Sequence, residues 1–433
     1  MQKKQNLHIS YAWFVCALGA IFYSYEYLLR ISPSVMEAQL QAHFGLNKTG
    51  FGFLSAFYYY AYVPMQIPVG ILMDRYGPRR LLTLACLLCV VGTIIFASTY
   101  SFWVAAFGRF LVGFGSAFAF VGVLKLATLW LPEDKLAMVS GLAAALGTLG
   151  AMLGDNLLGY LVSMVGWQDT VYYTAIAGLF IIAALWLGVK DHPNAEEISG
   201  TIDSFRQSLV DLKKILTNKQ IWINGMYGCL VYLPTTVFAE LWGIPYFEHG
   251  QKLTSGQADF ANSLIFLGFT IGAPIMGFIS DKLHRRKLPM LFGAVMSGII
   301  MSIIIYMPGL DYQRIYGLVF LLGMMYSAQA IVFAVGRELS PGEAAGTAMA
   351  TTNTIVMLGA TFIQPLIGRL LDWSLQSRLP HMNLSAMPED AVRDMYSIGD
   401  YQFAMIIIPV GIFIAAILTF FLKETHAHAP QNK

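Results

Sequence analysis

The chain is 433 residues long, 57% of them hydrophobic and only 12% charged, with a formal net charge of +2. Soluble domains carry roughly 25% charged residues, so this composition excludes an ordinary soluble protein and indicates one that lives in lipid. The small net charge argues against a nucleic-acid partner. The four cysteines lie inside apolar stretches and have neither metal-ligand nor disulfide-framework spacing.

Long apolar stretches follow one another along the whole sequence. A helix needs about 20 such residues to cross ~30 Å of hydrocarbon, so each stretch predicts a membrane-spanning helix. The twelve stretches are 11–31, 50–73, 81–99, 102–126, 137–162, 170–189, 221–245, 259–280, 288–308, 313–336, 345–371 and 400–422. The sequence therefore predicts an all-α membrane protein with twelve transmembrane helices.

The polar segments between these stretches indicate the orientation in the membrane. Most of the 27 Lys and Arg fall before the first stretch, in alternate loops and after the last stretch. Because basic segments stay on the cytoplasmic side, we expect both termini in the cytoplasm. The longest polar segment, 190–220, has apolar residues at helical spacing and predicts an amphipathic helix on the inner membrane face.

A loop motif that ends the second stretch occurs twice. It runs from Gly70 to Arg80 and returns in degenerate form from Gly277 to Lys287, 207 residues later. In both copies an Asp follows the first Gly by four residues, and a basic pair begins five residues after the Asp. The duplication predicts an N-terminal six-helix bundle at 1–189, the linker 190–220, and a C-terminal six-helix bundle with a short tail at 221–433.

The first copy, Gly-x-x-x-Asp-Arg-x-Gly-x-Arg-Arg, resembles the signature of the major facilitator superfamily. This resemblance covers essentially the whole chain. It implies the major facilitator fold, two parallel six-helix repeats that rock around a substrate bound near the bilayer midplane. The segments 25–36, 66–70 and 346–365 are similar to proton-coupled nutrient importers, including the phagosomal nutrient transporters of intracellular bacteria. The resemblance further implies a monomer in a bacterial inner membrane.

The resemblance gives the loop motif the role of a conformational latch on the cytoplasmic side. Asp74 would face the N-terminus of the eleventh stretch near Gly346 and Thr347, where a helix dipole favours a carboxylate. Glycines would allow close packing and a tight turn, and the second copy, which lacks the turn glycine, is expected to be weaker. Alternatively, the motif only sets topology. The latch residues are Gly70, Asp74, Arg75, Gly77, Arg79, Arg80, Asp281 and Arg286.

Three ionisable residues inside the spans are candidates for proton coupling, because charges in the membrane are costly and usually functional. Glu26, Arg109 and Asp155 each lie about 8–9 Å outside the midpoint of their own stretch, at a rise of about 1.5 Å per residue. Arg109 could hold one carboxylate ionised while a neighbouring carboxyl binds and releases the transported proton. In the alternative, Arg109 pairs with Asp155 to rigidify the bundle, and Glu26 pairs with Arg30 on a helix surface.

Tyrosines and amides in the spans that line the cavity of this fold are candidates for substrate binding. They offer polar groups on apolar walls, which suits a small polar nutrient such as an amino acid, a short peptide or a nucleoside. Tyrosines also populate interfacial belts, so each could instead be a core or belt residue. The candidates are Tyr23, Tyr27, Tyr58, Tyr62, Tyr227, Tyr232, Tyr326, Gln329 and Asn353.

These observations favour a secondary active importer that works by proton symport. The alternative within the same fold is an exporter or facilitator of organic anions or siderophores. A membrane enzyme would need a cluster of nucleophile or metal-ligand side chains, and a nucleotide-driven pump a phosphate-binding loop; the sequence has neither pattern. We therefore expect no enzymatic activity, cofactor or metal, and as partners a small-molecule substrate, H⁺ and the lipid bilayer.

Overall fold

The computed structural model describes residues 2–131, 136–190, 212–307, 309–340, 345–382, 387 and 389–425. Over these residues the chain is α-helical, with short 3₁₀ and π segments and no β-strand. Most of the predicted amphipathic linker helix lies outside the described residues. Its last part, 212–217, is helical, and Ile215 there is buried against Ile221, Ala348 and Ile355.

Most of the helices that come from the first half of the sequence are long, and short connections join them. A 3₁₀ turn, Ser32–Met36, follows the first helix, and a π segment, Gly154–Leu158, joins the sixth to the seventh. The helices are α1 Gln2–Ile31, α2 Glu37–Phe44, α3 Lys48–Tyr76, α4 Pro78–Ser98, α5 Phe102–Trp130, α6 Leu136–Leu153, α7 Gly159–Val165 and α8 Trp167–Gly188.

The second half contains more interruptions of regular α-helix. After its first helix come the π segments Pro234–Trp242 and Tyr246–Gly250, and a 3₁₀ turn, Ser327–Ala330, interrupts the tenth predicted stretch. The helices are α9 Lys219–Val231, α10 Ser255–Leu283, α11 Lys287–Tyr306, α12 Tyr312–Tyr326, α13 Ile331–Glu338, α14 Ala345–Arg378, α15 Glu389–Arg393, α16 Ile398–Met405 and α17 Ile407–Phe421.

Ten helical segments among the described residues are long and apolar enough to cross a membrane. They coincide with ten of the twelve stretches expected from the sequence. The stretch 50–73 lies in α3. The stretch 221–245 comprises most of α9, the π segment Pro234–Trp242 and the short helical turn Gly243–Pro245.

The contacts divide the chain into two compact units. Unit 1 comprises Met1–Ser32 and Phe57–Arg206, and unit 2 comprises Pro33–Ala56 and Gln207–Lys433. Unit 2 therefore includes a segment from the first half of the sequence, namely the 3₁₀ turn after α1 from Pro33 onward, helix α2 and the first turns of α3. The division of the sequence into six-helix bundles remains a prediction.

Within each unit, glycines allow helices to pack backbone against backbone. In unit 1, a Cβ at Gly92 of α4 would lie 2.5 Å from the carbonyl oxygen of Gly108 in α5. In unit 2, a Cβ at Gly268 of α10 would lie 3.0 Å from the Cα of Gly323 in α12. Small residues at such crossings are typical of membrane helices, whose association depends on close van der Waals contact.

Candidate functional site

A buried ion pair lies near the end of α1. The Nη2 of Arg30 donates to Oε1 of Glu26 at 2.9 Å and to Oε2 at 3.3 Å. The two residues are one helical turn apart, so their side chains lie on the same face. Their side chains are 2% and 0% exposed, which means that this pair is not the surface pair considered from the sequence. A charge pair this deep must be supported by further polar contacts.

Tyr58 of α3 supplies that support. Its hydroxyl donates to Oε2 of Glu26 at 2.9 Å and accepts from Nε of Arg30 at 3.0 Å. One phenol therefore bridges the acid and the base, and it is itself fully buried. We call Glu26, Arg30 and Tyr58 the charged triad.

Aromatic rings surround the guanidinium of Arg30. Its Cζ lies 4.4 Å from the ring centroid of Tyr27, 5.4 Å from that of Tyr58 and 4.8 Å from that of Tyr62. Tyr62 stacks on Tyr58, with centroids 5.5 Å apart and planes 19° apart. A cation within about 6 Å of a ring face is attracted by its quadrupole, more strongly where water is excluded. The rings thus stabilise the positive charge independently of Glu26.

Arg109 of α5 joins the cluster in a different way from the one expected. Its Nη1 and Nη2 donate to the carbonyl oxygens of Leu29 and Arg30 at 2.8 and 3.0 Å, and its Cζ lies 5.3 Å from the centroid of Tyr58. The last carbonyls of a helix lack intrahelical donors, so Arg109 caps the end of α1. Arg30, and not Arg109, is the arginine that donates hydrogen bonds to Glu26. The equal depth of Glu26 and Arg109 in the membrane did not reveal which arginine contacts Glu26.

Gly113 explains how α3 and α5 approach closely enough for these contacts. It lies one helical turn after Arg109, and a Cβ there would collide with the carbonyl oxygen of Tyr58. The glycine places the backbone of α5 directly against α3 at the level of the triad. No sequence motif marks this residue, because a single glycine in an apolar helix has no distinctive pattern.

Asp155 lies in the π segment after α6 and is fully buried. Nearby glycines of this helix pack on α1, since a Cβ at Gly150 would collide with the carbonyl oxygen of Ser24 and one at Gly154 would lie 2.5 Å from the side chain of Ile31. Asp155 therefore belongs to a helix packed along the same part of α1 that carries Glu26 and Arg30. π segments often mark functional positions. Its role in proton coupling stays a prediction.

The substrate candidates in unit 2 separate into two groups. Tyr232 and Tyr326 both pack against Phe269, and the hydroxyl of Thr235 donates to that of Tyr326 at 2.7 Å. Tyr227 is different, because its hydroxyl donates to the carbonyl oxygen of Met290 at 2.7 Å and so fastens α9 to α11.

The amide candidates differ in their burial. Gln329 is 3% exposed in the 3₁₀ turn after α12, and Asn353 is half-buried on α14.

Among the substrate candidates of unit 1, Tyr23 is half-buried, and its ring centroid lies 6.1 Å from that of Tyr27. Their roles in substrate binding remain predictions.

The first copy of the loop motif is only partly described. The side chain of Asp74, and with it the predicted contact near Gly346, lies outside the described residues. Gly77 has φ 77°, as a tight turn requires, but a Cβ at Gly70 would meet no described atom within 4 Å. The expected close packing at Gly70 is therefore not found among the described residues.

Two basic residues of the first copy lie over aromatic rings. Arg79 donates to the carbonyl oxygen of Trp186 at 3.0 Å and lies over its ring, whereas Arg75 lies over the ring of Tyr76. Arg75 and Arg80 are exposed, as residues that anchor a loop at an anionic membrane surface would be.

The second copy of the motif forms a compact charged cluster. Arg286 donates to Asp281 at 2.5 Å and to Glu338 at 2.7 Å, and its backbone N–H donates to Glu424 at 2.5 Å. His284 provides the left-handed turn residue, with φ 48°, where the first copy has glycine. No sequence pattern connects Glu338 or Glu424 with this motif, because both are far from it along the chain.

Comparisons with known proteins identify the family. A family model described as Major Facilitator Superfamily matches residues 13–364 and 244–433, and the chain belongs to this family. It is thus a multi-pass membrane transporter, and the predicted fold class is confirmed.

The relatives are named for different substrates. The chain is 24% identical over 402 residues to a probable galactarate/D-glucarate transporter of Bacillus subtilis, covering 84% of this chain and 86% of that protein. It is 22% identical to a probable hexose phosphate transport protein of Chlamydia pneumoniae, with 86% of each covered, and 24% identical to the lysosomal dipeptide transporter MFSD1 of Homo sapiens, with 83% and 78% covered.

A solved structure of a bacterial homologue of the human lysosomal transporter Spinster, inward-facing and unoccupied, has a similar fold. The TM-score is 0.76 at 15% identity, with 95% of this chain and 96% of that chain covered.

Proposed function

We propose that this transporter imports a small carboxylate-bearing nutrient, such as an amino acid, a short peptide or a sugar acid, together with a proton. The observation that carries the proposal is the charged triad, in which a buried carboxylate and a buried guanidinium share one tyrosine hydroxyl. Buried ionisable groups inside a membrane protein are expensive and mark proton or substrate pathways. Related transporters named for galactarate/D-glucarate and for dipeptides support a substrate with a carboxylate group.

The chemistry of the triad couples proton and substrate through Arg30. While Glu26 is ionised, its carboxylate occupies the guanidinium. A proton on Glu26 removes that negative charge, and Arg30 becomes available to a substrate carboxylate, for which a guanidinium fork is well suited. The faces of Tyr27, Tyr58 and Tyr62 stabilise the cation during this exchange. Asp155 is the second candidate for the proton carrier.

The remaining features of the proposal follow the sequence. The distribution of Lys and Arg favours both termini in the cytoplasm, and the bacterial transporters among the relatives favour a bacterial inner membrane. We take the working unit to be a monomer. The alternative is an exporter or facilitator of organic anions or siderophores.

Uptake into proteoliposomes of the purified protein tests this function. Labelled amino acids, dipeptides, sugar acids and nucleosides are offered with and without an inward proton gradient. Accumulation of a carboxylate-bearing compound only under the gradient would support the proposal. Equilibration without accumulation would identify a facilitator, gradient-driven loss of preloaded compound an exporter, and accumulation of a nucleoside a different substrate class.

Two variants test the proposed role of the triad in the same assay. Glu26→Gln is expected to lose gradient-driven accumulation while keeping part of its substrate exchange. Asp169→Asn is the matched control, because Asp169 is an exposed carboxylate outside the triad, and it should accumulate substrate as the parent protein does. Full accumulation by Glu26→Gln would remove Glu26 from the coupling mechanism.

A further inference from the structure

The N-terminus of α3 is capped by a carboxylate from a distant part of the chain. The first backbone N–H groups of a helix have no intrahelical acceptor. Asn47 provides a local cap, since its Oδ1 accepts from the N–H of Gly50 at 2.9 Å. The N–H groups of Lys48 and Thr49 donate instead to Asp372 of α14, at 3.2 and 2.8 Å.

Asp372 has further donors around it. The hydroxyl of Thr49 donates to its Oδ2 at 2.5 Å, and the hydroxyl of Tyr396 donates to its Oδ1 at 2.5 Å. Two backbone and two side-chain donors therefore converge on one carboxylate at the positive end of a helix dipole. Charge-assisted hydrogen bonds of this kind are stronger than bonds between neutral groups.

The packing of α14 against α3 fixes Asp372 in this position. Gln364, Gly368 and Asp372 follow one another at intervals of one helical turn, so they share one face of α14. A Cβ at Gly52 of α3 would lie 2.8 Å from the carbonyl oxygen of Gln364, and a Cβ at Gly368 would collide with that of Lys48. Both glycines are needed for the two backbones to meet, and Asp372 lies one turn beyond this contact.

A second ion pair strengthens the same helix end. The Nζ of Lys48 lies 2.6 Å from Oε1 of Glu37, and the two side chains are 1% and 4% exposed. The ammonium also lies 5.2 Å from the ring centroid of Tyr396. Asp372 thus holds the backbone of the first turn of α3, and Glu37 holds the side chain of Lys48 in the same turn.

All of these contacts lie inside unit 2, yet α3 does not end there. Ala56 is the last residue of α3 in unit 2, and the helix continues from Phe57 in unit 1. The same helix carries Tyr58 of the charged triad. The capped end lies at the side of the membrane predicted to be opposite the basic loops. Asp372 borders a cavity of about 520 Å³, which is large enough to hold water.

We propose that Asp372 is an outer latch: it caps α3 in one state of the transport cycle and releases this helix end in the other. The proposal rests on the alternating-access function proposed above. When the latch opens, water entering from the adjoining cavity replaces Asp372 at the backbone donors, which limits the cost of release. The latch thus biases the population of states without locking the protein in one of them.

The test is the alkylation rate of a cysteine placed at Ser55, which is 2% exposed on α3. Protein carrying Ser55→Cys in nanodiscs is treated with a hydrophilic maleimide, and each modified cysteine is identified by mass spectrometry. Adding Asp372→Ala should raise the rate at position 55 about tenfold, as expected for loss of a charged helix cap. Thr49→Val, which removes one of the four donors, should raise it by a smaller factor.

Internal controls separate release of the latch from general unfolding. Asp311→Ala removes a local cap at another helix start, where Asp311 accepts from the N–H of Arg314 at 2.8 Å, and should leave the rate unchanged. The native, buried Cys89 should stay unmodified in every variant. If Asp372→Ala also exposes Cys89, that variant has unfolded. The alkylation rate at position 55 in the Thr49→Val variant then tests the latch.

The latch would be overturned if Asp372→Ala leaves the alkylation rate at position 55 unchanged. If the Asp372→Ala variant unfolds, an unchanged rate in a folded Thr49→Val variant would overturn it instead. Combining the two substitutions should give no more than the effect of Asp372→Ala alone, because both act on one contact. The assay needs neither substrate nor a proton gradient. The result of the alkylation assay therefore does not depend on whether the transport proposal is correct.

Discussion

Replacing Glu26 by Gln tests how strongly the charged triad depends on its carboxylate. In the native protein Glu26 accepts two contacts from Arg30 and one from Tyr58. The amide keeps one acceptor oxygen but carries no charge, so the buried guanidinium loses its counter-ion. Breaking a buried ion pair costs about 3–5 kcal/mol. We expect a value near 3 kcal/mol, because the tyrosine faces around Arg30 remain in place.

Removing both charges should restore most of that loss. The double variant Glu26→Gln, Arg30→Met has neither ion, and well-packed neutral replacements of buried pairs are often close to neutral in stability. We expect it to lie within about 1 kcal/mol of the parent protein, which makes the two substitutions strongly non-additive. At a pH low enough to protonate Glu26, the parent protein and the Glu26→Gln variant should converge in stability.

The assay is reversible chemical unfolding in detergent micelles at pH 8, followed by circular dichroism. The exposed pair of Asp311 and Arg314, with N–O distance 3.7 Å and side chains 54% and 65% exposed, provides the control. Asp311→Asn should cost below about 1 kcal/mol, as exposed pairs usually do. A cost below about 1 kcal/mol for Glu26→Gln at pH 8, together with additivity in the double variant, would refute the reasoning.

Three further predictions follow from packing and charge. Gly113→Ala should destabilise the protein by roughly 1–3 kcal/mol and reduce uptake, because the added methyl collides with the Tyr58 carbonyl. Burial, with Lys48 nearby, lowers the pKa of His249 to about 4, so NMR titration should find it neutral from pH 5 to 8. Arg286→Gln should reduce unfolding stability by roughly 1–2 kcal/mol, because Glu338 loses its charged partner.

Each of these predictions has a matched control or a stated direction in which stability changes with pH. Gly317→Ala should be nearly neutral, because a Cβ there meets no described atom within 4 Å, and Arg285→Gln replaces an exposed neighbour of Arg286. Since the folded state binds a proton at His249 less well than the unfolded state does, the stability that depends on His249 falls as pH drops from about 6.5 to about 4. His249→Gln should flatten that part of the pH profile.

The helices were predictable because each depends on a local property of the sequence. A run of about 20 apolar residues has few alternatives to a transmembrane helix, and ten predicted stretches have matching spans in the structure. The loop motif was also readable, because its spacing recurs within the chain. The interruptions of the helices were not predictable, because the π segment at Gly154–Leu158 does not alter the hydropathy pattern.

The contacts of the candidate site depended on information that a single sequence does not contain. Glu26 and Arg109 were found from their cost in a membrane, but depth alone could not assign their partners. Arg30 was considered only as a surface neighbour of Glu26, because its burial requires Tyr58 from another helix. Asp372 and Lys48 are 324 residues apart in sequence, and nothing local connects them.

The most direct test of the proposed function follows protons and not substrate. A pH-sensitive dye is trapped inside proteoliposomes, and a substrate identified in the uptake panel is added outside without an imposed gradient. Symport predicts acidification of the lumen that depends on the substrate and is absent with Glu26→Gln. Substrate entry without acidification in the parent protein, or equal acidification with Glu26→Gln, would contradict proton coupling through the charged triad.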